Sequence, residues 1–392
     1  MSIMYKAPSG WESSKLDSLC IKITDGTHKT PDYKDDGVVF ISAKNVREGK
    51  LDFSDQKYIS HEEHELLIKR CKPEADDVML SKSGSLGNSV VIPKLEFEFS
   101  IFESLALMKV KKKKVLPEYL MQIFNSPLAK RYFWSITTGL AVKHLHLGDL
   151  KKMPILLPSP PEQEAIIDSL SIWDQAIEKI ERLILAKEKR FKWLLRLLIS
   201  DNKKSKWEKV KLGDISKISK GKQLNVSNMK TDGDYYALNG GVNPSGRTNN
   251  WNTEAETITI SEGGNSCGYV NYNTERFWSG GHCYSILDLN NNIDKHYLYF
   301  YLKMNEPKLM KLRVGSGLPN IQKKDIEKFV IALPSLTEQK EIAQLSLSSQ
   351  KEINLLKQLV EKYKAQKKGL MQKILTGKWR IKDEIINQYK EV

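Results

Sequence analysis

The chain has 392 residues, 40% of them apolar, a formal charge of +14 and a pI of about 9.3. That length allows two domains with ordinary cores, and the excess of Lys and Arg favours a polyanionic partner, of which nucleic acid is the commonest. No run approaches 18 apolar residues and Met1–Gly10 has no apolar core, which argues against a membrane span or a secretory leader, while Cys20, Cys71, Cys267 and Cys283 show neither CxxC pairing nor zinc-ligand spacing and read as packed thiols in a reducing cytoplasm.

Trp11-Glu12 opens the first module with a short amphipathic segment through Leu16, Leu19 and Ile23. Asp25-Gly26-Thr27-His28 through Pro31 reads as a turn-rich loop. Val38–Ser42 is a candidate strand, and Asp76–Ser81 another; the latter runs through Gly84 and Gly87 into Val90-Val91-Ile92. Glycine there lets the backbone turn tightly. Lys109 and Lys111–Lys114 form a basic run read as a solvated turn. Pro117 starts a helix that breaks at Asn125-Ser126-Pro127. A glycine loop, Thr138-Gly139-Leu140, and a short strand, Ile155–Leu157, complete the module.

Pro161–Ser200 then carries apolar residues at Ile166, Leu170, Trp173, Ile177, Ile180, Ile184, Phe191, Leu194 and Leu198, a heptad seam with one gap at Lys187. About 38 helical residues at ~1.5 Å each span roughly 57 Å. Such a helix needs a partner, and the chain repeats it. Shifted by 176 residues, Pro158, Glu162, Gln163, Ile166 and Ile177 recur as Pro334, Glu338, Gln339, Ile342 and Ile353. Between the helices lies a polar linker, Asp201–Lys206, and a second module opening on Trp207-Glu208. Its Thr257–Ser261, Gly263-Gly264 and Gly268-Tyr269-Val270 answer the first strand–turn–strand. Tyr297, Leu298 and Tyr301 answer the helix, and Gly315-Ser316-Gly317 the glycine loop.

The expected organisation is 1–158 first module, 159–200 first long helix, 201–334 second module, 335–377 second long helix, and 378–392 a ragged tail. The expected fold class is mixed α/β (α+β): two domains separated by an antiparallel coiled-coil helix pair, with a pseudo-two-fold internal repeat. Ile177, Ile180, Ile184, Ile353, Leu356 and Val360 are the expected helix-pair core. Two basic modules at the ends of a rod suit two separated DNA segments, with at most ~17 base pairs between them at ~3.4 Å each.

These motifs resemble those of the specificity (S) subunits of type I restriction–modification systems over nearly the whole chain. The resemblance rests on Trp11-Glu12…Leu16, Ile23-Thr24-Asp25-Gly26-Thr27-His28…Pro31, Asp77-Val78…Ser83-Gly84…Gly87 and Leu157-Pro158…Glu162-Gln163. It continues through Gly315-Ser316-Gly317-Leu318…Ile321, Leu333-Pro334…Glu338-Gln339 and Lys368-Gly369-Leu370-Met371…Leu375-Thr376-Gly377-Lys378. His144-Leu145-His146, and Trp193 where the second repeat has Gly369, depart from the pattern. The resemblance implies target-recognition domains that read the halves of an asymmetric site in double-stranded DNA. It implies helices that dock two modification (M) subunits carrying S-adenosylmethionine. Restriction (R) subunits using ATP and Mg would join through them. It implies no catalysis, cofactor or metal in this chain.

The residues agree about the missing chemistry. Ser159-Pro160-Pro161 ends in Glu162, without the aromatic that an amino-methyltransferase stacks on its flipped base. No GxxxxGK[ST] loop is present. Asp32, Glu48 and Lys50 fit a loose nuclease pattern and carry one alternative, a stand-alone metal-dependent endonuclease. A DNA-tethering scaffold is the other. His61 and His64 lack the i, i+4 spacing of a helical zinc site, and His144 and His146 would need further ligands. Base readout calls for Arg, Lys, Asn or Gln at base edges, and phosphate contact for Lys, Ser, Thr and amides. The candidate DNA contacts are His28, Lys29, Lys44, Asn45, Lys82, Ser83 and Lys143 in the first module. In the second they are Lys220, Lys222, Asn239, Arg247, Asn249, Asn265 and Asn320. Pro161–Ile167 and Leu336–Ile342 are candidate M-docking surfaces, or else helix starts packed on their own domains.

Overall fold

A computed structural model describes residues 7–137, 143–199, 207–315 and 319–390. The expected loops at Thr138-Gly139-Leu140 and Ser316-Gly317, and the linker Asp201–Lys206, lie outside them. The chain divides into two compact units, Met1–Lys179 with Leu359–Val392, and Ile180–Gln358, so the division falls within both long helices.

Unit 1 holds β1 (Glu12–Lys15), β2 (Cys20–Asp25), β3 (Val38–Ile41), β4 (Val46–Arg47), β5 (Lys50–Leu51), β6 (Lys57–Ile59), β7 (Val78–Ser81), β8 (Ser89–Val91), β9 (Phe99–Ile101), β10 (Leu105–Val110) and β11 (Pro154–Leu157). Its main sheet is antiparallel, in the order β2-β10-β7-β8. A smaller sheet, β6-β3-β9, joins β3 to β9 in parallel. The central strands β7 and β10 are covered on both sides, so their apolar residues run almost unbroken. Val78, Leu80, Ala106 and Met108 share one core with the helices Pro117–Asn125 and Pro127–Ile136. Met79, Leu105 and Leu107 face a second core with Ile41, Phe99 and Ile101.

Unit 2 repeats the plan with β12 (Glu208–Lys211), β13 (Lys217–Lys220), β14 (Tyr235–Leu238), β15 (Gly246–Thr248), β16 (Thr257–Ser261), β17 (Val270–Asn273), β18 (Trp278–Ser279), β19 (Cys283–Leu287) and β20 (Val330–Leu333). Its sheets run β13-β19-β16-β17 and β15-β14-β18, and β14 pairs with β18 in parallel as β3 does with β9. Ile258, Ile260, Tyr284 and Ile286 pack toward the helix side. The other face of this sheet is mostly polar, apart from Cys283, which packs with Leu238 and Phe277. Thr257, Thr259, Ser261 and Ser285 are buried there, with Asn273 donating to the Thr257 carbonyl (2.9 Å) and the Thr259 hydroxyl (3.0 Å).

The long helices span Pro160–Leu198 and Leu336–Ile374. Within unit 1, Trp173 meets Tyr363 edge-on at 5.6 Å and Lys367 bonds Asp174 at 2.6 Å, while the earlier Glu162 meets the later Arg380. Within unit 2, Lys187 pairs with Glu352 at 2.7 Å, and Leu195 and Ile199 share a core with Ile342 and Ala343. Partner numbers fall as chain numbers rise, so the helices run antiparallel in each unit. Ile184, Ile353 and Val360 are buried; Ile177, Ile180 and Leu356 are half-buried.

Each helix start is clamped by its glutamine. Gln163 is fully buried; its oxygen accepts from the Leu116 amide (2.9 Å), and its nitrogen donates to the carbonyls of Lys114 (3.0 Å) and Pro158 (3.1 Å). Gln339 does the same with Asp294, Asn292 and Pro334. The inner sides of Pro161–Ile167 and Leu336–Ile342 are therefore packed on their own domains. Of the two readings of those segments, packing on their own domains holds for their inner sides, while Thr337, Lys340 and Glu341 on the second helix start stay exposed.

The tail after Gly377 is not ragged. It includes a helix, Asp383–Asn387, and Arg380 donates to both oxygens of Glu162 (2.8 and 2.9 Å) and to the Ser9 carbonyl (2.9 Å). Trp11 Nε1 also donates to Glu162 (3.1 Å). Glu162 is almost fully buried, whereas Arg380 is 41% exposed, so solvent screening discounts the pair. Arg380→Ala is expected to cost about 1–2 kcal/mol and to open the tail to limited proteolysis. A tail as protease-resistant as the wild type's would count against this anchor.

All four cysteines are reduced and buried; burial above all pushes Cys20 and Cys71 up to about 12, which keeps them as inert thiols. Among the described residues no helix is long and apolar enough to cross a membrane.

Candidate nucleic-acid interface

The strand registers align the two modules residue by residue. Ala106 stands opposite Asp25 and Leu105 opposite Ser81. Tyr284 stands opposite Lys220 and Cys283 opposite Ser261. Asp25 thus corresponds to Lys220, and Lys82, one residue past β7, to Glu262, one past β16. The backbone repeats as well. Leu145 donates to the Lys82 carbonyl and Ile321 to that of Glu262, each at 2.9 Å.

At these matched positions the charges are exchanged. Lys82 bonds Asp25 at 2.6 Å, and the two side chains are 2% and 5% exposed. Lys220 bonds Glu262 at 2.5 Å, with the carboxylate 5% exposed. Burial alone would raise the Asp25 carboxyl; the hydrogen bond and charge of Lys82, with help from His28, outweigh it and hold the group below 3.8. Glu262 is likewise lowered: burial opposes, and Lys220, Tyr284 and His282 prevail. Each carboxylate also holds an exposed imidazole. His28 Nε2 lies 3.3 Å from Asp25, and His282 Nδ1 lies 3.1 Å from Glu262.

Loops carry these groups outward from one end of each main sheet. Gly26 and Gly221 follow the paired residues, and both are forced by close approach. A Cβ on Gly26 would lie 1.9 Å from the Ile101 carbonyl oxygen, and one on Gly221 2.3 Å from that of Gly280. The lysine run Lys111–Lys114 follows the far end of β10 and lies at the opposite pole, as befits a solvated turn.

The family model described as "Type I restriction modification DNA specificity domain" matches residues 8–187 and again 204–365. The chain belongs to the type I specificity-subunit family. A Methanocaldococcus jannaschii protein named as a type I restriction enzyme specificity subunit is 26% identical over 411 aligned positions, 96% of this chain and 95% of that one. One from Mycoplasma pneumoniae is 34% identical over 152 residues, but the match spans only 40% of that relative. The crystal structure of a type I S subunit from M. genitalium shares the fold, with a TM-score of 0.61 at 18% identity over 95% of this chain and 98% of that one.

In this specificity subunit the predicted contacts divide. His28, Lys29, Lys222 and Asn249 are exposed on loops, Asn265 is exposed on the short 3-10 helix Gly264–Ser266, and Ser83 is half-exposed on the turn after Lys82. Lys44 is exposed but pairs with Asp55 at 2.6 Å. Lys143 is half-buried over the Trp134 ring, 5.3 Å from its centroid. Lys220 is exposed at its edge but committed to Glu262. Arg247 lies on an exposed hairpin, with its guanidinium turned back to the carbonyls of Gly233 (2.5 Å) and Asp234 (2.9 Å). Asn239 and Asn320 are half-buried, each with an enclosed, unpartnered side-chain oxygen.

Two expectations are corrected. Asn45 is buried, and its amide closes its own turn to Ser42, Asp52 and Asp55. Lys82 is an internal charge rather than a surface contact. The nuclease constellation is not assembled either. Asp32 pairs with Lys34, Glu48 with Lys130, and Lys50 with Glu178. No group of three or more His, Cys, Asp or Glu among the described residues could hold a metal. His64 is buried against Ser100 and Glu98. The sequence reading overlooked Arg70, Glu262 and His282. Aligning Ser81-Lys82 on Ser261-Glu262 would have exposed the charge exchange.

Proposed function

We propose that this chain is the non-catalytic, cytoplasmic DNA-recognition subunit of a type I restriction–modification complex, each module reading one half of an asymmetric bipartite site. One observation supports this above others. The modules share sheet order and register, yet differ in the side chains their loops present. A common frame with unlike loops suits two different half-sites.

The outer faces of the long helices suit docking of two M subunits, and through them R subunits. Ile172 is 66% exposed in unit 1; Leu185 and Trp193 are 67% and 59% exposed in unit 2. S-adenosylmethionine would belong to M, and ATP and Mg to R. The test is a methylation map of DNA from cells making this chain with its neighbouring methyltransferase, against cells lacking the chain. A gapped, asymmetric methyladenine motif that requires this chain is the expected result. No new methylation from an active methyltransferase would overturn the reading.

A further inference from the structure

The charge exchange between the modules alters which member of the shared pair meets solvent. In the second module the cation is outside: Lys220 is 49% exposed, over a carboxylate that is 5% exposed. In the first it is inside, with Lys82 2% exposed. The pair alone would leave the first module without an outward cation at this point. Arg70 supplies one. It is 57% exposed and bonds one oxygen of Asp25 at 2.5 Å, while Lys82 holds the other.

Arg70 is not part of the repeat. It follows the helix His61–Ile68, between β6 and β7, whereas unit 2 has only β15 between the corresponding β14 and β16. Lys220 instead ends β13. Two unrelated elements thus bring a cation to the shared carboxylate at the same end of the same frame. Packing of the first module does not call for it, because Lys82 already faces Asp25 from within. A requirement met twice by different means is one that both half-sites impose, and what any two half-sites have in common is the sugar–phosphate backbone.

Both groups are held in place with donors to spare. A guanidinium has five N–H donors, and Asp25 accepts from one nitrogen of Arg70. Lys22 donates to the Arg70 carbonyl at 2.6 Å and steadies its backbone. An ammonium has three donors; Glu262 accepts one from Lys220, whose Nζ lies 5.9 Å from the centroid of the Tyr284 ring. Glu103 faces Lys82 at 4.0 Å, and among the described residues no ion pair joins it to Arg70. Guanidinium and ammonium groups are cations across the neutral range, so such donors point at a polyanion without first gaining a proton.

Building on the DNA-recognition reading, we infer that Arg70 and Lys220 are equivalent DNA-phosphate contacts, one per module, each aimed by the buried carboxylate behind it. Charge-assisted bonds of this kind fix the register of a protein on a duplex without reading its bases.

The experiment measures affinity of the full chain, assembled with its methyltransferase, for a duplex carrying its methylated motif, across a salt series. Arg70→Gln and Lys220→Gln should each lower the slope of log affinity against log salt by about 1, with the methylated motif unchanged. Arg70→Lys and Lys220→Arg should keep the slope. Because Lys220→Gln strands Glu262, the double variant Lys220→Gln, Glu262→Gln is measured beside it and should show the same lowered slope. Duplexes with one uncharged methylphosphonate, moved along the motif, then locate the contact. At one phosphate in each half-site the neutral linkage should weaken the wild type and add no loss to the matching glutamine variant. Glutamine variants with the wild-type slope, or losses that add at every phosphate, would overturn the inference. A changed base in one half of the motif would overturn it in favour of base reading. If the wild-type complex fails to bind the duplex, the recognition reading itself falls. Wild-type binding with indifferent variants removes only these two contacts.

Discussion

Lys82→Met destabilises unit 1 by about 3 kcal/mol, near the lower end for breaking a buried ion pair. The methionine keeps most of the lysine's shape and removes the charge that faces Asp25. The carboxylate stays 5% exposed, and Arg70 on its other oxygen keeps the loss from being larger. Asp25→Asn added to Lys82→Met should recover more than about 1 kcal/mol of that loss, because no charge is then stranded.

The pH dependence carries a sign. In the wild type the carboxyl titrates below its ordinary 3.8. Its contribution is therefore full above that value and fades as pH falls through the lower folded-state value. In Lys82→Met burial dominates and raises the carboxyl instead, so the deficit narrows as pH is lowered. Thermal unfolding across pH, with hydrogen exchange along β10, measures all three effects. A single-variant loss under about 1 kcal/mol, or a deficit that widens in acid, would contradict the account.

Gln163→Ala removes three hydrogen bonds from a fully buried position. The Pro158 carbonyl and the Leu116 amide lose their partners inside the protein, while the exposed Lys114 can turn to water. The expected loss is about 3 kcal/mol, from one buried and one half-buried unsatisfied group plus a lost side chain. Gln163→Glu is the sharper variant. A carboxylate accepts from Leu116 but faces two carbonyls with no proton to give. It should be at least as damaging as alanine, although glutamate is nearly the same size. Gln339→Ala should reproduce the effect in unit 2. Urea unfolding followed by tryptophan fluorescence would show it, and a Gln163→Glu protein as stable as wild type would refute the clamp.

Much of this fold was legible because its signals are local or periodic. The heptad seam, the proline helix starts and the strand–glycine–strand pairs each declare themselves within a few residues. The 176-residue repeat ties them into two modules. The small mixed sheets were not legible. β3 pairs in parallel with β9 across nearly sixty residues, and their short apolar strands state no partner. The contact residues were the hardest. Asn45 and Lys82 look like surface polar residues, and only the register places them inside. Arg70 and Glu262 give no sign of where they point until the sheet is built. The helix starts Pro161–Ile167 and Leu336–Ile342 could be read either as a partner surface or as packed on their own domains; both glutamines turn inward to backbone groups, and Glu162 turns inward to the side chains of Trp11 and Arg380.

The exchanged charges constrain how such a gene can be shuffled. A crossover between β2 and β7, splicing the opening of the first module onto the remainder of the second, would bury Asp25 against Glu262. The reciprocal hybrid would set Lys220 against Lys82. Asp25 and Glu262 would repel at that depth, and Lys82 would lose the carboxylate against which it is buried. Hybrids that fold should have their breakpoints outside this interval, along the long helices or ahead of Trp11 and Trp207. New combinations of half-sites would then arise by trades that keep each pair whole, and exchanges that split it would be removed at the folding step, before any DNA is read.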